Sequence, residues 1–209
     1  MIIAVDGPAA AGKGTLARRL AQHLDLPYLD TGLLYRAVGR RVLDAGADPA
    51  DPAAAEAAAQ ALMPEDTARG DLRGPAQDEA ASKVAAIPGV RAALLEFQRR
   101  FGQERGAVLD GRDIGTVVFP EAKVKLFVTA HPRERARRRH LEMLGRGQDA
   151  TLEAVEAEMA ARDARDAARD VAPLVPARDA LLLDTTDLDA EAAFRRALAL
   201  ITGKSKLSA

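Results

Sequence analysis

The residues with the clearest chemical potential form a glycine-rich stretch near the start of the chain. It directly follows the apolar run 2–5 and has the pattern of a phosphate-binding loop (P-loop) that opens a helix. Its glycines let backbone N–H groups converge on a phosphate, the helix N-terminus adds about half a positive charge, and Lys13 can reach the β- and γ-phosphates. A tight strand-to-helix turn would need only two glycines, so the complete pattern predicts binding of a nucleoside triphosphate. The predicted loop comprises Gly7, Pro8, Ala9, Ala10, Ala11, Gly12, Lys13, Gly14 and Thr15.

The end of the loop narrows the class of protein. Gly14 stands where many such loops carry the hydroxyl that binds Mg²⁺, and Thr15 follows it. A Gly-Lys-Gly-Thr ending is typical of nucleotide and small-molecule kinases. The Asn-Lys-x-Asp motif by which GTPases recognise their base does not occur in the sequence. The loop therefore favours a kinase that uses ATP over a GTPase.

Two carboxylates end apolar runs and are candidates for a metal site. Asp110 follows the run 107–109 in the manner of a Walker B carboxylate, so we expect it to hold Mg²⁺ directly or through a water molecule. Asp30 ends another short run beside the loop and is the weaker candidate.

Basic residues cluster in two later segments. Arg162, Asp166 and Arg169 are spaced i, i+4, i+7, which places them on one face of a helix, where they could equally form an ordinary solvated ion-pair face. The stretch 133–146 could be a solvated helix or a surface for RNA. It contains no aromatic residue, and aromatic residues make up only 3% of the chain, which argues against single-strand binding.

The elements that must position these residues alternate along the chain. Short apolar runs at 2–5, 27–29, 107–109, 124–128 and 180–183 predict strands, and the intervening patterns predict helices from residue 13, over 33–43, 132–144 and 152–169, and over 190–201. Asp187 or Asp189 is the expected cap of the last helix, and the tail 203–209 is expected to fray. This alternation predicts an α/β fold with a parallel sheet.

One segment interrupts the alternation. Residues 44–77 are rich in Ala, Pro, Asp and Gly and poor in β-branched residues. They predict a short alanine-rich helix over 53–62 and otherwise an insert at the edge of the core, partly mobile.

Composition excludes several classes of protein. A chain of 209 residues, 48% hydrophobic, suits one domain, and it has no apolar run of the roughly 20 residues that cross a membrane. A net charge of −1 provides no general attraction for nucleic acid, and the absence of cysteine excludes disulfides and thiolate chemistry. The N-terminus lacks the pattern of a signal peptide, so we expect a cytoplasmic protein.

Several longer motifs resemble one family. The segment 30–36, Asp-Thr-Gly-Leu-Leu-Tyr-Arg, is similar to bacterial cytidylate kinases, and the similarity returns at 81–85, 88–91, 110–120, 135–139, 162–166 and 172–174 in the family's order. The resemblance implies a P-loop nucleoside monophosphate (NMP) kinase with a five-stranded parallel sheet flanked by helices. It further implies one kinase domain over 1–209, with a core of 1–43 and 78–209, a shortened NMP-binding insert at 44–77 and an arginine-rich lid at 131–148.

The resemblance also implies roles for individual residues. A catalytic role is expected for Lys13, Arg112, Arg138 and Arg162, and Arg135 and Arg139 belong with Arg138 to the lid. The substrates would be ATP, with Mg²⁺, and CMP or dCMP, and the enzyme would be a monomer that binds neither nucleic acid nor membrane. The residues expected to contact CMP are Thr31, Tyr35, Arg36, Ser82, Arg91, Arg112, Asp113, Arg162, Asp166 and Arg169.

Two departures from the family pattern bear on this assignment. The loop has Ala9 and Ala10 where the family usually has Ser and Gly, so a phosphate donor is lost, and the backbone is restricted if residue 10 requires a positive φ. We expect ATP binding to persist. The insert 44–77 is too short and too poor in strand formers for the small antiparallel sheet that the family generally has there.

The residue types suit transfer between two phosphates. The second pKa of a monophosphate is about 6, so the attacking oxygen is already deprotonated and cations matter more than a general base. Arg91 and Asp113 complement the acceptor and donor edges of cytosine, and uracil would leave polar groups unpaired at about 1–3 kcal/mol each. Asp113 could instead cap its loop with Arg112 as partner. A kinase for another monophosphate such as UMP, and a non-catalytic RNA-binding protein, remain alternatives.

Overall fold

A five-stranded parallel sheet forms the centre of the computed structural model. The structure describes residues 1–207, except for the side chains of residues 64 and 204–207. The strands lie in the order β2-β3-β1-β4-β5, and every pairing is parallel. The predicted α/β class and five-stranded sheet are therefore confirmed. The strands are β1 (Ile2–Asp6), β2 (Tyr28–Asp30), β3 (Ala107–Gly111), β4 (Val124–Thr129) and β5 (Leu181–Asp184).

Helices cover both faces of the sheet, which explains why the strands are largely apolar. Alternate residues of a strand face opposite sides. Val5 packs in one cluster with Leu20 of the first helix, whereas Ala4 packs with Phe119 in a cluster on the other face.

Each predicted helix is present, with adjusted ends. The last predicted helix extends to Leu207, through part of the tail expected to fray, and residues 208–209 lie outside the described part. Asp189 caps it by accepting from the Ala192 N–H at 2.7 Å. The helices are α1 (Lys13–His23), α2 (Thr31–Asp44), α3 (Pro52–Gln60), α4 (Pro64–Thr67), α5 (Pro75–Val84), α6 (Pro88–Arg105), α7 (Pro132–Leu144), α8 (Leu152–Ala167) and α9 (Ala190–Leu207).

Four elements were not predicted. These are α4, α5, α6 and a π-helical segment at Ile114–Val118, whose wider turn is seen in the bond from Phe119 N–H to the Ile114 carbonyl at 2.7 Å. The C-terminal end of the helix predicted over 152–169 is also wrong, because α8 ends at Ala167 and Arg169 lies just beyond it.

The segment 44–77 contains helices and, within the described residues, no strand. The alanine-rich helix predicted there is confirmed as α3, and the Asp51 carboxylate caps it by accepting from the Ala53 N–H at 3.0 Å. Ala55 and Ala59 of α3 are buried in a cluster with Val38 and Val42 of α2. Small side chains let these helices approach closely, so α3 is packed against the core.

Among the described helices, none combines the length and the apolar character needed to span a bilayer.

Candidate active site

The P-loop connects β1 to α1 at the carboxyl edge of the sheet. Gly7 has φ +144°, and a Cβ there would lie 1.9 Å from the Val128 carbonyl oxygen, so only glycine fits. Gly12 also has a positive φ of 84° and directly precedes the first turn of α1. These two glycines let the chain turn sharply from β1 into α1. The first N–H groups of a helix have no partner within it, and residues 12–15 at the start of α1 line the cavity described below.

Ala10 stands where the family pattern usually has glycine, and its backbone is strained. Its φ is +57°, in the left-handed region. A residue with a Cβ pays about 1–2 kcal/mol for this conformation. The loop therefore does require a positive φ at this position, and alanine accommodates it at a cost.

Lys13 is held across the loop beside a carboxylate. Its Nζ donates to the Pro8 carbonyl at 2.8 Å and lies 4.0 Å from Asp110 Oδ1. Burial, reinforced by the positive charge of Arg112, lowers the pKa of Lys13 to about 7. An anion close to Nζ would favour the charged form, which is what a triphosphate supplies.

Asp110 lies beside the loop as the penultimate residue of β3. Its carboxylate is almost completely buried, and burial raises its pKa. A Cβ on Gly14 would lie 3.2 Å from Asp110 Oδ2, so the backbone of the loop passes directly beside this carboxylate. Thr31 secures the same strand end by donating from Oγ1 to the Asp110 carbonyl at 2.7 Å.

A second group of charged residues joins β3 to the end of α8. Arg112 Nε donates to Asp166 Oδ2 at 3.2 Å, and Arg169 donates to the other oxygen of Asp166. The Nε atoms of Arg162 and Arg169 are buried without a hydrogen-bond partner. Buried donors of this kind normally have an acceptor, so both guanidinium groups are incompletely satisfied, and both residues line the same cavity.

Arg91 and Asp113, both predicted to contact cytosine, form a buried ion pair with each other. Arg91 is 8% exposed and Asp113 is 5% exposed. The guanidinium carbon of Arg91 also lies 5.7 Å from the centroid of the Tyr35 ring. The alternative in which Arg112 is the partner of Asp113 is not what the structure shows, because Arg112 pairs with Asp166.

Asp6, which was not predicted from the sequence, does not line the cavity but supports the segment that follows Asp113. Its carboxylate accepts from the N–H groups of Ile114 at 2.8 Å and Gly115 at 2.7 Å, at the start of the π-helical segment. These bonds fix the backbone directly after Asp113. Burial raises the pKa of Asp6 to about 7 despite the two hydrogen bonds. The only sequence signal was an acidic residue ending a buried strand.

The basic helix α7 carries much of its charge in local ion pairs. Arg138 donates to Glu134 at 2.9 Å and to the Thr185 carbonyl at 2.6 Å, and Arg135 pairs with Asp163 at 2.7 Å. Further pairs join Arg133 to Glu156, Arg137 to Glu134, and Arg139 and Arg146 to Glu142. Such pairing leaves little free positive charge for RNA, and this weakens the RNA-binding alternative.

One cavity of about 600 Å³ brings the predicted residues together. Every residue predicted to act in catalysis or to contact CMP lines it, as do Asp110 and most of the loop. Four of the predicted residues do not line the cavity: Gly7, Pro8, Ala11 and Arg135. It is also lined by five charged residues that were not predicted as site residues: Arg18, Arg73, Asp78, Glu142 and Arg146.

A triphosphate-binding loop that faces an arginine-lined pocket across one cavity suits a kinase whose acceptor is itself a phosphate. The parallel sheet and this site together define an enzyme of the P-loop nucleoside monophosphate kinase class.

Comparisons with known proteins specify the family. The family model for cytidylate kinase matches residues 3–203. The chain is 65% identical over 201 residues to the cytidylate kinase of Acidiphilium cryptum, covering 96% of this chain and 95% of that protein. It is 65% identical over 204 residues to the cytidylate kinase of Granulibacter bethesdensis, covering 98% of each. The chain belongs to the cytidylate kinase family.

A solved structure shares the fold. An uncharacterized protein from Eubacterium ventriosum superposes with a TM-score of 0.57 at 14% identity, covering 97% of this chain and 98% of that one. This likeness supports the architecture alone.

Proposed function

We propose that this enzyme transfers the γ-phosphate of ATP to CMP or dCMP, yielding ADP and CDP or dCDP. The observation that carries the proposal is the position of the Arg91–Asp113 pair in the cavity that also contains the P-loop. The names of the similar proteins support the same substrate.

The transfer needs positioning and positive charge. An oxygen of the CMP phosphate, already deprotonated at neutral pH, attacks the γ-phosphorus, while the bond to the β-phosphate oxygen breaks and ADP leaves with that oxygen. Lys13 from the loop and Arg112, Arg138 and Arg162 from three other segments line the cavity and would stabilise the charge on the transferring group.

The acceptor side is assigned to the residues around Asp166. Arg36, Arg112 and Arg162 would bind the CMP phosphate, and the sugar would lie near Asp166 and Arg169. The positions of these residues support the assignment, since all of them line the same cavity. Thr31 and Tyr35 line the same side of the cavity.

Base recognition is assigned to Arg91, Asp113 and Ser82. The carboxylate accepts from the cytosine amino group, and the guanidinium donates to the ring acceptors. The Ser82 hydroxyl accepts from Arg165 Nε at 3.4 Å, and Ser82 lines the cavity, so its own O–H remains available to the base. Because Asp113 and Arg91 are already paired, they are held in place before the base arrives.

The residues around Asp110 fit a magnesium ion bound together with ATP. Mg²⁺ usually takes one or two carboxylates, several waters and the substrate phosphates, so it needs no dedicated protein cage. The described residues contain no group of three or more His, Cys, Asp or Glu side chains placed to hold a metal ion. The buried carboxylate of Asp110, next to the loop at Gly14, would hold the ion, with Thr15 and Asp30 nearby on the cavity wall. Bound there, the ion would neutralise phosphate charge.

Several broader features belong to the same proposal. Residues 44–77 act as a shortened NMP-binding insert on a core of 1–43 and 78–209, and residues 131–148 act as a lid that closes over both substrates and excludes water. The chain works as a monomer in the cytoplasm, without nucleic-acid or membrane partners.

A coupled assay of ADP release tests the function. CMP and dCMP should be phosphorylated with the highest kcat/KM among CMP, dCMP, UMP, AMP and GMP. A preference for UMP would establish the rival kinase. An RNA gel shift in parallel tests the binding alternative, and binding without phosphotransfer would refute the proposal.

A further inference from the structure

Asp78 contacts three arginines from three different helices. It lies on α5 and is 4% exposed. Its Oδ1 accepts from Arg36 Nε of α2 at 2.9 Å and lies 3.6 Å from Arg162 Nη1 of α8. Its Oδ2 accepts from Arg139 Nη2 of α7 at 2.5 Å. One carboxylate thus joins the acceptor side, the lid helix and α8.

The charges explain why the cluster is stable. Three guanidinium groups gathered in a partly buried site repel one another unless an anion lies among them. Burial opposes ionisation of Asp78, but the charges of Arg36, Arg162 and Arg139 outweigh it and hold its pKa below the usual value. The carboxylate is therefore ionised at neutral pH, and three cations around one anion leave a surplus of positive charge that suits a phosphate dianion.

The geometry leaves the arginines able to bind a second anion. Asp78 takes only the Nε hydrogen of Arg36, so the two terminal amino groups of Arg36 are not used by Asp78. All three arginines and Asp78 line the cavity. The carboxylate orients the guanidinium groups without occupying all their donors.

We propose that Asp78 is a positioning residue for the acceptor phosphate, which holds Arg36, Arg139 and Arg162 together so that the lid helix and α2 face the same anion. The inference rests on the proposed function, since it takes this side of the cavity as the CMP phosphate site. The proposal adds a negatively charged residue to the CMP phosphate site, which was assigned above to arginines alone.

The test is Asp78→Asn, which keeps the size of the side chain and removes its charge. The KM for CMP should rise about ten- to a hundredfold, the scale of a hydrogen bond to a charged group, while the KM for ATP stays within about twofold. Backbone amides of α7 should exchange faster with deuterium, because Arg139 loses its anchor. An ion pair that contributes only stability would lower the melting temperature without this split between substrates.

Asp179→Asn is the matched control. Asp179 also pairs with a largely buried cation, Lys125, at 2.9 Å, but neither residue lines the cavity or lies in the insert or the lid. This variant should keep both KM values, whatever it does to the melting temperature.

Two further variants separate the possible failures. If Arg36→Ala raises the KM for CMP but Asp78→Asn leaves it unchanged or lowers it, the inference is overturned and the proposed function stands. If Arg36→Ala leaves that KM unchanged, the assignment of the acceptor site itself is wrong. Should Asp78→Asn not fold, Asp78→Glu carries the test, because it displaces the carboxylate while keeping its charge. A native KM for CMP in that variant would overturn the inference.

Discussion

Replacing Asp113 with asparagine tests base recognition most directly. A carboxylate can only accept hydrogen bonds, so it suits the amino group of cytosine and disfavours the O4 carbonyl of uracil. An asparagine amide can also donate, so uracil gains a partner while cytosine keeps one. The variant should therefore lose activity on CMP and discriminate less against UMP.

Two energies determine what this variant does. One recognition contact is worth about 1–3 kcal/mol, or roughly 5- to 150-fold in the ratio of kcat/KM for CMP and UMP. The structure adds a second effect, because Asp113 is the buried partner of Arg91. Removing one member of a buried ion pair costs about 3–5 kcal/mol of folding free energy. Asparagine can still accept from Arg91, so the loss should fall toward the lower end of that range.

The assay must keep these effects apart. Melting curves identify a temperature at which the variant is fully folded, and initial rates on CMP and UMP are then measured for both proteins at that temperature. A narrowed ratio supports Asp113 as a base contact. Equal losses on both substrates, with the ratio unchanged, would refute the reasoning and leave Asp113 with the purely structural task of pairing with Arg91.

Four other outcomes follow from the site. Lys13→Ala should remove most phosphoryl transfer, while circular dichroism should show that the variant remains folded. Turnover near the native rate would show that the loop is not the ATP site. Arg112→Ala should raise the KM for CMP and lower kcat with little change in ATP affinity; loss of ATP binding first would mean that donor and acceptor sites are exchanged. Ala10→Gly should relieve the left-handed strain and raise the melting temperature, with a gain below about 2 kcal/mol because glycine also loosens the unfolded chain. In the folded protein the pKa of Lys13 is lowered to about 7, against an ordinary 10.5, so between these values the unfolded chain binds more protons and the free energy of unfolding should rise with pH. ATP favours the charged form of Lys13, so at pH 8 it should bind together with a proton. Calorimetry should show this proton uptake as a binding heat that depends on the buffer, and the uptake should be absent in Lys13→Met.

Several contacts of the site lie beyond any pattern in the sequence. Arg139 meets Asp78 across 61 residues, and Asp6 meets the amides of the π-helical segment across 108. Such contacts depend on how helices and strands pack, and no local periodicity encodes them. Asp78 was therefore not predicted as a site residue, although it lines the cavity.

The unpredicted elements have physical explanations as well. The buried face of α5 consists of Asp78, Ala80, Ala81, Ser82 and Val84, so the helix has no stripe of large apolar residues to reveal its period. The π-helical segment follows neither of the usual periods. Its first N–H groups are satisfied by Asp6, which only the folded chain brings there.

The sequence by itself determined what is encoded by contiguous residues. The P-loop is nine consecutive residues between a strand and a helix, its glycines specify a backbone that few other residues adopt, and the alternation of apolar runs with helical patterns requires a parallel sheet. Only the tertiary structure decided the strand order, the pairing of Arg91 with Asp113, and the gathering of three arginines on Asp78. The reason is that a charged side chain gains its partner only when distant segments pack together. Without that packing, each of these arginines would be an ordinary solvated residue on the surface.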